Sequence, residues 1–118
     1  MNKNTEFHIT IFAYPGVQMS AVLGLQDVFD IANQVSSSTE GMISKVKIAD
    51  EEQLLNIPST SNVVILPPNL SGSRGEDKTQ IHEYLQKSHA NGTVMCSVCA
   101  GAFWLGNSGL LDNRPATT

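Results

Sequence analysis

The stretch Thr93-Val94-Met95-Cys96-Ser97-Val98-Cys99-Ala100-Gly101 is the part of the sequence that decides the fold. Its first six residues are mostly apolar and predict a buried strand. A short apolar helix is predicted directly after Cys99, from Ala100 to Asn107. A strand that turns sharply into a helix is the setting in which a nucleophile elbow presents its central side chain. The pattern therefore predicts an α/β protein with Cys99 at such a turn.

Strands and helices also alternate on the amino-terminal side of this turn. The predicted strands are short apolar or alternating runs: Phe7 to Ala13, Ile43 to Ala49 and Asn62 to Leu66. The predicted helices have apolar positions at helical spacing: Ser20 to Gln34, with Ser20 as N-cap, and Asp77 to Ala90. In the first of them the apolar positions are Val22, Leu25, Val28, Phe29 and Ile31-Ala32, and Asp27 and Asp30 are expected to point outward. This order predicts a mainly parallel sheet with helices on both faces. We expect the strands that begin at Phe7, Asn62 and Thr93 to be central.

Composition limits the chain to one globular domain, residues 1–118, because 118 residues with 41% hydrophobic and 15% charged side chains suit a single core. A net charge of -4 and the lack of a Lys/Arg cluster argue against direct nucleic-acid binding. No apolar run reaches the roughly 20 residues that a membrane span needs. The start, Met1 to Glu6, is polar and unlike a signal peptide. We expect a cytoplasmic protein without membrane partners.

Cys99 is the candidate reactive residue. Ala100 and Gly101 supply the small side chains that a tight elbow needs, while Ser97 stands where the elbow pattern has its first glycine. The free N–H groups at the start of a helix favour a thiolate at this position. Free cysteines are also among the most buried residues, so an inert, buried Cys99 stays open as the alternative.

Cys96 and Cys99 together form a C-x-x-C pair. Cys96 falls inside the predicted strand, and a zinc site would need further ligands that the sequence does not offer nearby. Two cysteines so close in sequence also do not predict a disulfide scaffold. We therefore predict no metal site and no cofactor.

Two separated blocks of sequence resemble one known family. Ser97-Val98-Cys99-Ala100-Gly101-Ala102-Phe103 and the segment from Gly109 to Thr118 resemble ThiJ/PfpI-type domains, of the class I glutamine amidotransferase-like superfamily. Pro15-Gly16-Val17-Gln18 and Gly24 to Phe29 resemble the GlxA-type branch of AraC-family transcriptional regulators, in which such a domain precedes a pair of helix-turn-helix motifs. The resemblance implies a flavodoxin-like, three-layer fold. Because family domains continue past the Ala-Thr-Thr block, it also implies that this domain is truncated.

The resemblance further implies that catalytic partners are missing. Enzymatic relatives pair the elbow cysteine with a carboxylate, and that position falls on Ala21. Two glycines that donate N–H groups to an oxyanion correspond to Pro68 and Asn69, and proline has no N–H. The family's histidine would lie beyond Thr118. The implied ligand pocket consists of Cys99, Ala100, Gly101, Ala21, Pro68 and Asn69.

His8, His82 and His89 are the other candidate bases, and we expect each of them to be solvated rather than catalytic. The sequence therefore predicts a non-enzymatic ligand-sensing and dimerisation domain of an AraC-type regulator. The alternative is a small cysteine-dependent enzyme of the hydrolase, hydratase or glyoxalase type. The predicted partners are a second copy, paired through an exposed sheet edge, and an unknown small-molecule effector. DNA would be bound only through a downstream domain outside this chain.

Overall fold

A four-stranded parallel sheet is the centre of the computed structural model, which describes residues 6–36, 43–56, 61–72 and 74–116. Strand β1 (Glu6–Phe12) pairs with β2 (Ile43–Ala49) on one side and with β3 (Val63–Leu66) on the other. Strand β4 (Val94–Ser97) pairs with β3. The prediction of a parallel α/β sheet is confirmed.

The position of β4 differs from the expectation, because β4 lies at the edge of the described sheet and not at its centre. Val94 and Val98 are accordingly 56% and 43% exposed. A short apolar run looks the same in a central strand and in an edge strand whose side chains pack on one face only. Strand order depends on the crossover connections, and the run itself carries no information about them.

In the described part of the chain, four α-helices connect and follow the strands: α1 (Met19–Ser36), α2 (Glu51–Asn56), α3 (Thr79–Ala90) and α4 (Ala102–Asn107), the last preceded by a 3₁₀ turn at Cys99–Gly101. Because α1 begins at Met19, Ser20 lies in its first turn and is not the N-cap. The Ser20 hydroxyl instead accepts a hydrogen bond from Gln18 Nε2, at 3.0 Å.

The short helix α2 was not predicted from the sequence. Asp50 precedes it, and the two residues Asp50 and Gln53 exchange hydrogen bonds between backbone N–H and side-chain oxygen, at 2.8 and 2.9 Å. This reciprocal pair is a capping box, which satisfies two N–H groups at the start of the helix. The signal was present as Asp50 with glutamine three residues later, but six residues are too few to show helical periodicity.

The buried residues that the structure describes form two core clusters, one on each face of the sheet, because successive strand residues point to opposite faces. On one face, Ile9, Ile11 and Ile65 pack against Val22 of α1. The other face buries the strand residues Phe12, Val64 and Leu66 against Leu54, Ile81, Leu85, Trp104 and Leu105 of α2, α3 and α4. The three-layer arrangement predicted from the sequence is therefore confirmed.

The apolar face of α1 is only partly buried. Leu25 and Phe29 pack on the sheet as predicted, whereas Val28 and Ile31 are 58% and 59% exposed. Asp27 and Asp30 point outward as predicted. No helix among the described residues combines the length and the apolarity that a membrane crossing requires.

Candidate functional site

Cys99 lies at a strand-to-helix turn with an unusual backbone conformation. It follows β4 and begins the 3₁₀ turn that leads into α4. Its φ is 51°, in the left-handed region that non-glycine residues seldom occupy. Cys96 and Cys99 are both free and exposed. The predicted elbow is confirmed, and the alternative of a buried Cys99 is wrong.

The turn packs tightly against the carboxyl end of β3. The Val98 N–H donates to the Leu66 carbonyl oxygen at 3.0 Å, and the Gly101 N–H donates to the Val98 carbonyl at 2.9 Å. A Cβ added at Gly101 would overlap the Leu66 carbonyl oxygen and lie 2.8 Å from the carbonyl oxygen of Pro67. Only glycine fits this approach of two backbones, which explains the glycine after Cys99-Ala100.

Tyr14 is the polar side chain that the structure adds to this region. It is 2% exposed, and its hydroxyl donates a hydrogen bond to the Pro67 carbonyl oxygen. Burial raises the pKa of Tyr14 above its usual value, hydrogen bonding with the Asn69 side chain opposes this, and charge on Cys99 raises it further. Tyr14 therefore links the loop after β1 to the carboxyl end of β3, against which the elbow packs.

Pro68 and Asn69 are held against the loop between β1 and α1. The Gln18 N–H donates to the Pro68 carbonyl at 2.9 Å, and Val17 and Asn69 form an antiparallel bridge. The Asn69 side-chain oxygen accepts the Gly72 N–H at 2.9 Å. The two loops that follow β1 and β3 are thus joined at the carboxyl end of the sheet, where open α/β sheets bind their ligands.

Ala21 lies in the first turn of α1, where it is half-buried. Its N–H donates to the Gln18 carbonyl at 3.0 Å. Its methyl group has no proton to exchange at pH 7 and cannot orient a thiol. Ala21 therefore has no chemical group that could perform the role of the carboxylate that enzymatic relatives have at this position.

Two cavities lie outside the predicted pocket. One, of about 470 Å³, lies between the loop after β1 and the start of α2 and is lined by Tyr14, Val17, Met19, Asp50 and Glu52 among others. The other, of about 360 Å³, lies beside β4 and is lined by Met95, Leu110 and Arg114 among others. Neither cavity is lined by any of the six residues of the predicted pocket. That pocket stays a prediction.

The three histidines do not surround Cys99. His8 is exposed near the start of β1, 3.5 Å from Glu6, and His89 lines the smaller cavity at the start of β4. Both lie at the amino ends of parallel strands, whereas Cys99 follows the carboxyl end of β4. Among the residues that the structure covers, no group of three or more His, Cys, Asp or Glu side chains could hold a metal ion.

His82 is buried, contrary to the expectation of a solvated histidine. It is 9% exposed, and its ring packs edge-on against Trp104 with 6.1 Å between centroids. The reason is that the face of α3 turned to the core carries Ile81, His82, Leu85 and Ser88. His82 therefore belongs to the buried interface between α3 and the core, where it packs against Trp104.

These features define an α/β protein with a flavodoxin-like fold and a cysteine at its strand-to-helix elbow, and two solved structures share this fold. The crystal structure of Drosophila melanogaster DJ-1beta is similar, with a TM-score of 0.70 and 18% identity over 89% of this chain and 61% of that chain. The crystal structure of "a putative transcriptional regulator protein" from Vibrio parahaemolyticus is similar with a TM-score of 0.68 and 15% identity, over 92% and 63%. The chain spans less than two thirds of both. No protein-family model and no curated protein matches it.

We expect Cys99 to react faster than Cys96 with iodoacetamide, because its left-handed backbone presents the thiol at a turn while Cys96 lies within β4. Mass spectrometry after brief labelling of the folded protein measures both rates in one sample. Equal labelling, or faster labelling of Cys96, would contradict an activated elbow.

Proposed function

We propose that this domain binds a small effector molecule and dimerises as the sensor part of an AraC-type transcriptional regulator, without catalysing a reaction. DNA binding would belong to a domain outside these 118 residues, and we expect the protein to act in the cytoplasm. The observation that carries the proposal is that the chain keeps a cysteine elbow, while the two positions that the resemblance assigns to its catalytic partners hold Ala21, which has no acid–base group, and Pro68, which has no N–H.

The residue at the oxyanion position supports the proposal that the site does not catalyse a reaction. Pro68 has no N–H, and its carbonyl oxygen accepts from Gln18. Loss of one oxyanion donor alone costs about 100 to 1,000-fold in rate. A thiol without that donor and without a partner base retains little transition-state stabilisation, although it can still contact a bound molecule.

The larger cavity supports ligand binding. Its volume of about 470 Å³ falls within the ~300–1,000 Å³ that is typical of small-molecule sites. Apolar Val17 and Met19 line it together with the carboxylates of Asp50 and Glu52. A mixed lining of this kind suits a small polar or amphiphilic metabolite.

We expect small polar and amphiphilic metabolites, screened by thermal denaturation, to include one that raises the midpoint, because a ligand that binds only the folded state stabilises it. We also expect no turnover of aldehyde, amide or isocyanide substrates. Both the wild-type protein and Cys99→Ala should be assayed. Turnover that disappears in Cys99→Ala would overturn the sensor proposal, since contaminating activity would survive this substitution.

The second candidate function is a small cysteine-dependent enzyme. Cys99 favours it, because this free cysteine is exposed and its backbone is in the left-handed region that non-glycine residues seldom occupy. The same Cys99→Ala comparison separates the two candidates.

The edge of β4 supports the dimerisation part of the proposal. Val94 and Val98 donate their N–H groups to Asn62 and Leu66, at 2.9 and 3.0 Å. The backbone groups of Met95 and Ser97 therefore point away from β3, and no strand is described beyond them. No residue of β4 is charged, so two copies of this edge bring no like charges together.

We expect the protein to sediment as a dimer or larger oligomer at about tens of micromolar. Val94→Lys should shift it towards the monomer, because charged side chains on an edge strand oppose pairing. Val28→Lys on α1 is the matched control, since Val28 and Val94 are exposed to nearly the same extent, 58% and 56%. A wild-type protein that sediments as a stable monomer would contradict the dimer.

A further inference from the structure

We propose that Tyr14 is the positioning residue of the elbow and that its hydroxyl group holds Cys99 in the left-handed conformation. Tyr14 follows β1, in a different part of the sequence from the elbow. Its hydroxyl and its ring contact the two structures between which the elbow is fixed, the end of β3 and helix α4.

The hydroxyl acts on the end of β3. It donates to the carbonyl oxygen of Pro67, next to Leu66. The Leu66 carbonyl accepts the Val98 N–H, and Gly101 packs against the same carbonyl from the other side of Cys99. Both neighbours of the Cys99-Ala100 pair thus rest on the backbone that Tyr14 anchors. Because the φ of 51° is unfavourable for cysteine, surrounding contacts must maintain it.

The ring acts on α4. The Tyr14 and Trp104 rings lie 5.2 Å apart between centroids and are tilted by 59°. Trp104 is 2% exposed and lies in the first turn of the helix that continues from the elbow. Tyr14 therefore contacts the chain after Cys99 as well as the strand on which the turn rests.

Tyr14 also lines the cavity of about 470 Å³. Any link between this cavity and Cys99 rests on the proposed sensor function, because an effector bound in the cavity would contact Tyr14, the residue that positions Cys99. The positioning role itself can be tested without any effector. The thermal-shift and turnover experiments can therefore fail while this inference holds, and the reverse is also possible.

Tyr14→Phe keeps the ring and removes only the hydroxyl. We expect the ratio of Cys99 to Cys96 alkylation rates to fall about threefold or more, the factor that one ordinary hydrogen bond contributes, with the Cys96 rate unchanged. Tyr84→Phe, at a half-buried tyrosine on α3, is the matched control and should leave the ratio unchanged. The rates should be measured across pH, since a positioning role lowers the Cys99 rate at high pH and leaves the midpoint of the profile in place.

An unchanged ratio in folded Tyr14→Phe would overturn the proposal, and so would an equal fall in Tyr84→Phe, because general loosening would then explain it. Thermal denaturation of each variant establishes that it is folded at the labelling temperature. Amide hydrogen exchange on the wild-type protein tests the same idea without a variant. The Val98 amide should be protected like the core amides of β3, and exchange as fast as that of an unstructured peptide would contradict an anchored elbow.

Discussion

Gly101→Ala is expected to lower the free energy of unfolding by about 3 kcal/mol, at the upper end of the cost of overpacking. The added Cβ would overlap the Leu66 carbonyl oxygen and lie 2.7 Å from the Leu66 carbonyl carbon. Both are backbone atoms of a central strand, so no flexible side chain can move aside. Either the elbow or the end of β3 must shift, and we expect the Cys99 alkylation rate to fall together with stability.

Gly106→Ala is the matched control, because this glycine lies in α4, five residues further along, with nothing within 4 Å of an added Cβ. Alanine in a helix interior should stabilise the protein by about 0.5–1 kcal/mol. Urea unfolding of the two variants and the wild-type protein measures both effects. A Gly101→Ala protein as stable as the wild type would show that the elbow does not pack against the Leu66 carbonyl.

The elbow could be predicted from the sequence because its causes are local. An apolar run, a cysteine and two small residues in direct succession describe a strand, a turn and a helix start within nine residues. Leu66, which is distant in sequence, makes the close approach that only glycine tolerates at Gly101. The sequence does not show this contact, but it does show the glycine that the contact requires. The strands β1 and β3 were predictable for the same reason, since their apolar runs end at turn residues.

Tyr14 and His82 could not be placed from the sequence because their environments are made by distant residues. Tyr14 meets Pro67 and Trp104 only after the sheet has formed. His82 occurs next to Ile81 on the buried side of α3, where polar residues are unusual, and its Nε2 has no hydrogen-bond partner among the described residues. The position of Tyr14 at the end of a buried strand was the one local signal for its role. A tyrosine ring that is buried there usually has its hydroxyl hydrogen-bonded to another group.

The exposure of β4 and α1 depends on what covers the sheet. Val94 and Val98 lie on the face where Ile9, Ile11 and Ile65 pack against α1, and α1 contacts the β1–β2 side of that face. Periodicity predicts which residues share a face and cannot predict whether a neighbour covers it. Val28 and Ile31 were therefore assigned correctly to an apolar helix and wrongly to its buried side.

Trp104→Ala is expected to cost about 3–5 kcal/mol, the usual loss for a large aromatic residue in a core. The ring contacts Phe12 at 5.2 Å, Tyr14 at 5.2 Å and His82 at 6.1 Å between centroids. It also fills the space in front of Gly75, where an added Cβ would lie 2.6 Å from it. Since small domains are stable by only about 5–15 kcal/mol, this variant should be close to unfolding at 37 °C.

The adjacent residue supplies the control for this substitution. Phe103 is 42% exposed, and its ring lies 4.5 Å from the Arg74 guanidinium carbon. Phe103→Ala removes an exposed ring with one cation–π contact and should cost about 1 kcal/mol or less. Circular dichroism should follow unfolding, because Trp104 is the only tryptophan and its removal abolishes the fluorescence signal. If the two variants lost equal free energy of unfolding, Trp104 would not be buried against Tyr14. The contact between α4 and Tyr14 would then not support the elbow.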